Sequence, residues 1–274
     1  MEMNKETKIL EWFFTAGVDD IAGDIPLNAY QAGKKKNISE TNSALKDNIP
    51  SASMKSPVSF SKETTPTADD SSFLQTAQNL SAQAQTLEQL RENLQSFNGC
   101  ALKKTATTTV FGTGPTNAPV MIIGEAPGAD EDRQGLPFVG VSGQLLDKML
   151  SFIGVSREKN AYISNIIPWR PPGNRKPSTL ETDLCLPFIL KHIELINPKV
   201  IVCVGGTSVT SLLRTEETIT RVRGQWLFLQ INGREIPVLP IFHPSFLLRS
   251  PIYKKTTWQD LLELKRKLRE LNIV

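Results

Sequence analysis

The chain has 274 residues, and a domain usually contains roughly 100 to 200 residues, so one sizeable domain with additional segments is expected. Its formal net charge of +3 excludes a strongly basic protein but still allows an anionic partner. Three cysteines exclude a disulfide framework, no apolar run is long enough for a membrane span, and the start has no signal-peptide pattern, so we expect a cytoplasmic protein.

The first quarter of the chain predicts a short helix and then a linker. Apolar residues between Glu6 and Gly17 fall on one helical face, and we assign residues 1–27 to a short N-terminal helix. Lys, Ser, Thr, Asn and Pro dominate residues 28–73, a composition that predicts a disordered linker. The helix either binds a protein partner, with the linker as its tether, or folds back onto the rest of the chain.

Residues 74–274 have the pattern of an α/β domain. A lead-in helix is predicted at 74–94. Short apolar runs starting near residues 120, 161, 200 and 236 then alternate with helical stretches, which is typical of a three-layer α/β/α domain with a mainly parallel central sheet of about four strands. A capping box from Ser178 to Glu181 predicts a helix start, and Asn232-Gly233 predicts a hairpin turn.

Unusual polar residues follow three of the predicted strands. GEAPG (124–128) follows VMII, Asn165 follows AYIS, and His243 follows VLPIF. Each has an ordinary explanation as a turn or a cap. However, open α/β sheets bind ligands beyond the carboxyl ends of their strands, so the three segments together predict one binding crevice.

Four segments carry a resemblance to a known family. GEAPGADEDRQGLPFVGVSGQLLD, YISNIIPWRPPGNRKP, PKVIVCVGG and FHPSFLLR occur in the order expected for a family 4 uracil-DNA glycosylase, and residues 97–271 resemble that family. The resemblance implies a monomeric, monofunctional enzyme that flips uracil out of DNA and hydrolyses its N-glycosidic bond, leaving an abasic site for base excision repair. Its partner would be uracil-containing DNA and no membrane. The alternative is a non-catalytic DNA-binding or damage-recognition protein derived from the same fold.

The resemblance also assigns the residues of the uracil pocket. Phe138 would stack on the flipped base, although ordinary core filling is its rival explanation. Asn165 would read the O4 and N3–H edge of uracil, and His243 would donate to O2 as negative charge develops there. The full predicted set is Gly124, Glu125, Ala126, Pro127, Phe138, Asn165 and His243.

Glu125 and His243 are the predicted catalytic residues. Better-known members of the superfamily have an aspartate where this chain has Ala126, so the group that activates water is not obvious. Glu125 is the first candidate to orient the water or to stabilise the reacting groups. Asp130, Glu131 and Asp132 are the next candidates. A solvated loop is the simpler interpretation of that acidic run.

Contacts with DNA are expected from two further segments. Phe246 or Leu247 in HPSFLLRSP would act as a wedge in the groove, with Arg249 on a phosphate. Arg170 and Arg175 in WRPPGNRK would bind further phosphates, together with Lys176. Solubility is the rival explanation for each basic residue.

The chain departs from the family at the iron–sulfur site. The resemblance implies a [4Fe-4S] cluster held by four cysteines, at positions that here read Phe97, Cys100, Trp169 and Cys185. Only Cys100 and Cys185 could ligate iron, and the two aromatic side chains would fill the vacated volume. We therefore expect no cofactor; a residual or degenerate cluster is the alternative.

The sequence lacks the motifs of two other enzyme classes. A serine hydrolase elbow requires G-x-S-x-G, whereas GVSGQ has Gln144 at the last position, so Ser142 is interpreted as a helix cap. A zinc deaminase requires H-x-E with P-C-x-x-C, which the sequence lacks.

Overall fold

A computed structural model describes residues 68 to 274. The predicted N-terminal helix and the linker up to residue 67 lie outside the described residues. In chain order the helices and strands are α1 (Ala68–Gln83), α2 (Leu87–Ser96), β1 (Val120–Gly124), α3 (Ala129–Gln134), α4 (Val141–Ser151), β2 (Ala161–Asn165), α5 (Thr179–Ile196), β3 (Val200–Val204), α6 (Gly206–Leu213), α7 (Ile219–Val222), β4 (Leu227–Ile231), β5 (Arg234–Ile241), α8 (Pro244–Arg249) and α9 (Lys254–Glu270). Short 3-10 helices span Ala101–Lys104, Pro172–Asn174 and Pro251–Tyr253.

The five strands form one sheet in the order β2-β1-β3-β5-β4. The first four are parallel and β4 pairs with β5 in the antiparallel direction, which confirms the predicted α/β fold and adds the hairpin strand as a fifth member. Asn232 and Gly233 form the hairpin turn with φ of 49° and 72°. Positive φ at both central positions is what a tight hairpin requires, so the predicted turn is confirmed.

The core lies where helices cover the parallel strands. Every residue of β1, β2 and β3 is buried, as expected for parallel strands enclosed on both faces. Their apolar sequences follow from this environment, because no side of these strands faces water. The rigid sheet fixes the positions of the residues that follow each strand.

The helices at the start of the domain differ from the prediction. Two helices, α1 and α2, replace the single lead-in helix, and α1 begins at Ala68, within the predicted linker. The chain breaks because Thr86 accepts a hydrogen bond from the Gln89 amide and so starts a new helix. Both helices pack against α5, which begins with the predicted Ser178–Glu181 capping box. None of the helices between residues 68 and 274 is long and apolar enough to cross a membrane.

Candidate active site

A cavity of 570 Å³ lies at the carboxyl ends of the parallel strands. The structure brings six of the seven predicted pocket residues into its lining, and Gly124 lies directly behind them. Residues from all four parallel strand ends meet there, as the strand-end argument predicts. The predicted pocket residues in the lining are Glu125, Ala126, Pro127, Phe138, Asn165 and His243.

The ends of β1 and β2 hold Asn165 in the cavity. Gly124 and Asn165 are paired across the two strands, and the pairing continues because the Ile166 amide donates to the Gly124 carbonyl at 3.0 Å. A side chain at Gly124 would lie 2.6 Å from the Phe138 ring and closer still to Asn165 Oδ1, so only glycine fits. Asn165 is 5% exposed, and its Oδ1 has no hydrogen-bond partner among the described residues. An unsatisfied buried acceptor costs stability, which points to a ligand that donates to it.

Phe138 is held in a left-handed backbone conformation, with φ of 53°. Its ring lies against that of His243, with 5.7 Å between centroids and an angle of 30°. Arg157 fixes the turn by donating to the carbonyls of Pro137 at 2.8 Å and Phe138 at 2.7 Å, while it pairs with Asp147. A strained backbone conformation of this kind persists only where contacts with neighbouring residues hold it in place.

The acidic residues after the GEAPG turn have structural contacts. Glu131 accepts hydrogen bonds from the amides of Gly128 at 3.1 Å and of Val139 and Gly140 at 2.9 Å each, so it joins the GEAPG turn to the Phe138 turn. Asp132 is buried and accepts from two backbone amides of the segment before β1. The solvated-loop interpretation is therefore wrong for both. Only Asp130, paired with the exposed Arg133, fits it.

His243 caps α8 with its side chain. The amide of Ser245 donates to Nδ1 at 3.1 Å, and the Ser245 hydroxyl lies 2.8 Å from the same atom. Burial, aided by the charge of Arg249, lowers the pKa of His243 to about 4. The imidazole is therefore neutral near pH 7, and because Nδ1 accepts, its proton is on Nε2.

The predicted DNA-binding cations have different surroundings. Arg249 and Lys176 line the cavity. Arg170 donates to Asn174 Oδ1 at 2.8 Å. Arg175 also lines the cavity, but it forms a two-point ion pair with Glu181 at 2.8 and 2.6 Å. If Arg175 contacts a phosphate, its guanidinium therefore binds the phosphate and the Glu181 carboxylate at the same time.

Of the two residues predicted as the wedge, Leu247 needs correction. Leu247 is 0% exposed, so it belongs to the core and cannot reach DNA in this conformation. Phe246 lines the cavity, but its ring packs against those of Phe242 and Tyr253. The next residue, Leu248, is 41% exposed. The sequence pattern missed this because one short helix turn decides which of two adjacent leucines faces solvent.

Several residues of the cavity were missed or misassigned by sequence reasoning. Ser142 is not the cap of α4, since Gly140 occupies that position and no side chain caps it; instead Ser142 lines the cavity. Gly205 and Gly206, which follow β3, complete the wall. The strand-end rule could have found these glycines, because they follow VIVCV as GEAPG follows VMII.

The four positions of the implied cluster lie in the core. Phe97 packs its ring 5.4 Å from Phe188, and Trp169 donates from Nε1 to Thr109 Oγ1 at 3.0 Å. The interaction between the neighbouring thiols of Cys100 and Cys185 raises the pKa of Cys185, which burial raises further, and lowers the pKa of Cys100. No three His, Cys, Asp or Glu side chains between residues 68 and 274 could hold a metal ion together. These residues do not fit a four-thiolate cluster.

Comparison with known proteins agrees with this geometry. The family model for the uracil DNA glycosylase superfamily matches residues 111–262. The chain is 37% identical to the type-4 uracil-DNA glycosylase of Archaeoglobus fulgidus over 66% of its length and 92% of that protein. It is 39% identical to the type-4 enzyme of Thermotoga maritima over 60% of its length and 84% of that protein. A DNA polymerase of Bacillus phage SP01 is 29% identical over 62% of this chain and 17% of that protein.

Proposed function

Because this chain belongs to the uracil-DNA glycosylase superfamily, and within it to the type-4 enzymes, we propose that its cavity binds a uracil flipped out of DNA and that the protein hydrolyses the N-glycosidic bond. It is a DNA glycosylase, a hydrolase of N-glycosyl bonds that acts in base excision repair. The unsatisfied Oδ1 of Asn165, in one cavity with Phe138 and a neutral His243, carries the proposal.

Asn165 is proposed to select uracil. Its Oδ1 would accept from N3–H and its Nδ2 would donate to O4. Cytosine has no proton on N3 and an amino group in place of O4, so both pairings would fail. A site whose buried polar groups are left unpaired rejects the wrong ligand by a factor on the order of 10⁴. The absence of any other partner for Oδ1 among the described residues supports this role.

His243 is proposed to stabilise the leaving group. As the bond to the sugar breaks, negative charge develops on uracil O2, and Nε2–H would donate to it. The Ser245 amide on Nδ1 supports this role, because it holds the proton on the opposite nitrogen. Loss of one such donor typically costs about a hundredfold to a thousandfold in rate.

Glu125 is proposed to orient the attacking water and to stabilise the cationic sugar. It lines the cavity, and no hydrogen bond to its carboxylate is found among the described residues. Glu131 and Asp132 are weaker candidates, because backbone amides already occupy their carboxylate oxygens. Water would add its oxygen to the sugar carbon and lose one proton, while the electron pair of the broken N-glycosidic bond would leave with uracil as the anion. The anion would then take up a proton from solvent, so that the products are neutral uracil and a sugar with a hydroxyl group on that carbon.

The flanks of the cavity are proposed to bind the DNA backbone. Arg249, Arg170 and Arg175 would contact phosphates, and Leu248 takes the wedge role that the sequence assigned to Phe246 or Leu247. Its exposure next to the cavity supports the reassignment.

We further propose that the enzyme has no iron–sulfur cluster. Aromatic side chains occupy two ligand positions, and their rings are packed against neighbouring core residues. All three cysteines are free and buried, which also supports a cytoplasmic location. A cluster would give absorbance near 400 nm and bound iron in the purified protein; either finding would contradict this proposal.

The activity is tested with a labelled oligonucleotide that carries one uracil opposite guanine. Alkali cleaves the strand where the base has been removed. We expect cleavage by the wild-type protein, strong loss in Asn165→Ala and His243→Ala, and no loss in Asn79→Ala, a control on the exposed surface of α1. Binding without cleavage by folded wild-type protein would favour the non-catalytic alternative.

A further inference from the structure

One side chain outside the cavity contacts the backbone on both sides of Phe138. Arg157 Nη1 donates to the Pro137 carbonyl at 2.8 Å, and Nη2 donates to the Phe138 carbonyl at 2.7 Å. The two carbonyls belong to the peptide groups immediately before and immediately after Phe138. Arg157 comes from the segment between α4 and β2 and does not line the cavity. Any effect of Arg157 on a bound base therefore passes through the residues that it contacts.

The contact with Pro137 opposes relaxation of the Phe138 backbone. A φ of 53° is unfavourable for a residue that has a side chain, and rotation of the preceding peptide group would return φ to negative values. This rotation would turn the Pro137 carbonyl away from Arg157 Nη1 and break the hydrogen bond. Hydrogen bonds to a charged group are roughly twice as strong as neutral ones. The contact with Arg157 therefore stabilises the left-handed conformation of Phe138.

The peptide group after Phe138 is held at both of its ends. Its carbonyl accepts from Arg157, and its N–H, which is that of Val139, donates to Glu131 at 2.9 Å. Gly143 packs so closely against the same carbonyl that a side chain at this position would collide with it. A positive charge at the oxygen and a negative charge at the nitrogen match the dipole of the peptide group. Because both flanking peptide groups are held, the direction of the Phe138 side chain is fixed.

Arg157 is itself held in place by α4. Its Nε and Nη2 donate to Asp147 Oδ1 at 3.1 and 2.9 Å, and Nη2 also lies 3.0 Å from Oδ2. The side chain of Arg157 is 15% exposed, so little solvent competes for these contacts. The planar guanidinium has several N–H donors in a fixed arrangement, so it can bind a carboxylate and two carbonyls at once. The ammonium group of a lysine has no such arrangement.

We propose that Arg157 is a positioning residue that sets how well the cavity holds the flipped base. The inference rests on the proposed function, in which the Phe138 ring stacks on uracil. That ring lies 5.7 Å from the His243 ring, and a side chain at Gly124 would lie 2.6 Å from it. Without Arg157 the backbone of Phe138 relaxes and the ring leaves this position. A misplacement of about 1 Å can cost about a hundredfold in rate.

A double-mutant cycle between Arg157 and Phe138 tests the proposal. Single-turnover uracil release from a duplex with one U·G pair is measured for the wild type, Arg157→Gln, Phe138→Ala and the double variant. We expect Arg157→Gln to lose at least about tenfold in the wild-type background and less than about twofold in the Phe138→Ala background, where the ring is gone.

Two further variants sharpen the test. Arg157→Lys keeps the charge opposite Asp147 but cannot bind both carbonyls in a fixed geometry, so we expect it to lose nearly as much activity as Arg157→Gln. Arg221→Gln is the matched control, since Arg221 also pairs with a carboxylate, that of Glu217, and its side chain is 76% exposed. We expect the control to keep the wild-type rate.

A second measurement separates positioning of the base from a general loss of structure. A duplex with a tetrahydrofuran abasic-site analogue in place of the uracil nucleotide offers no base for Phe138. We expect Arg157→Gln to bind this duplex within about twofold of the wild type, because the phosphate contacts persist. A merely structural role would weaken this binding together with uracil release.

Equal losses from Arg157→Gln in both backgrounds, or no loss in either, would overturn the inference. Full activity in Arg157→Lys, a matching loss in the control or weakened binding of the abasic duplex would also overturn it. All these results leave the proposed function intact, whereas a wild-type protein that releases no uracil would overturn that function and the inference with it. Melting temperatures verify the fold, and Arg157→Lys replaces Arg157→Gln in the cycle if the glutamine variant does not fold.

Discussion

Asn165 and His243 acquire their chemical character from neighbours that lie close in space. Asn165 Oδ1 is buried and unpaired because β1 and β2 bring it against Gly124 and the Phe138 ring. His243 is neutral because of its burial, and the Ser245 amide fixes its tautomer. The residue type alone determines neither the unpaired oxygen of Asn165 nor the neutral imidazole of His243. From the sequence, each residue can therefore also be explained as an ordinary turn or cap.

The unpaired Asn165 oxygen leads to a prediction in which activity and stability move in opposite directions. In Asn165→Leu, a side chain of similar size removes the buried acceptor, whose desolvation costs about 1 to 3 kcal/mol when it is unpaired. We expect the free energy of unfolding to rise by about 1 kcal/mol and uracil release to fall at least about a thousandfold. Urea denaturation and single-turnover assays measure the two effects, and a less stable variant would contradict this account.

At the scale of elements, short segments after the strands decide the shape of the site. Phe138 has a positive φ that the sequence of its turn, LPFVG, does not predict. Arg157, which is distant in sequence, donates to the Phe138 carbonyl, and the nearer Glu131 accepts from the Val139 amide. On α8, two adjacent leucines have opposite environments: Leu247 is fully buried and Leu248 is exposed. The helix has only six residues, too few for a sequence periodicity to separate the two.

This difference on α8 gives a paired prediction. Leu247→Ala should lower the free energy of unfolding by about 2 to 5 kcal/mol, because it leaves a cavity in the core. Leu248→Ala should change stability by less than about 0.5 kcal/mol, since its side chain faces solvent. At the same time Leu248→Ala should slow uracil release from duplex DNA. Chemical denaturation and excision assays on both variants check this, and the reverse pattern would restore Leu247 as the wedge.

At the scale of the whole molecule, both histidines link folding to pH. Burial is the main cause that lowers the pKa of His192 to about 3 and of His243 to about 4. The unfolded chain binds protons on these groups below a pH of about 6.5 and the folded chain does not, so stability falls as pH decreases. Well below pH 6.5 the expected slope is about 1.4 kcal/mol per pH unit for each histidine, and at pH 6.5 it is about half that value.

Urea denaturation between pH 7 and 5 measures this slope. His192→Gln should reduce it, because one of the two neutral histidines is gone, whatever the variant's stability at pH 7. His192 donates to or accepts from Tyr162 at 3.0 Å, so slopes and not absolute stabilities are compared. An unchanged slope in the variant would show that His192 is protonated in the folded protein.

Much of the fold and part of the site follow from local patterns. The four parallel strands, the Ser178–Glu181 cap and the Asn232-Gly233 turn were predicted correctly, because each depends on residues within a few positions of one another. The two-helix start of the domain was missed, since one side-chain cap at Thr86 outweighs helix propensity on both sides. The contacts of Glu131 and Asp132 were missed for another reason: their partners are backbone amides, which a sequence does not display.

By itself the sequence determined the α/β alternation and the polar residues at the strand ends, because periodicity and turn chemistry are local properties. It also determined that two of four implied cluster ligands are aromatic. Only the tertiary structure decided that Asn165 keeps an unpaired oxygen, that His243 carries its proton on Nε2, and that Leu248 rather than Leu247 faces solvent. These properties depend on burial and on partners distant in sequence, and both exist only once the strands and helices have packed.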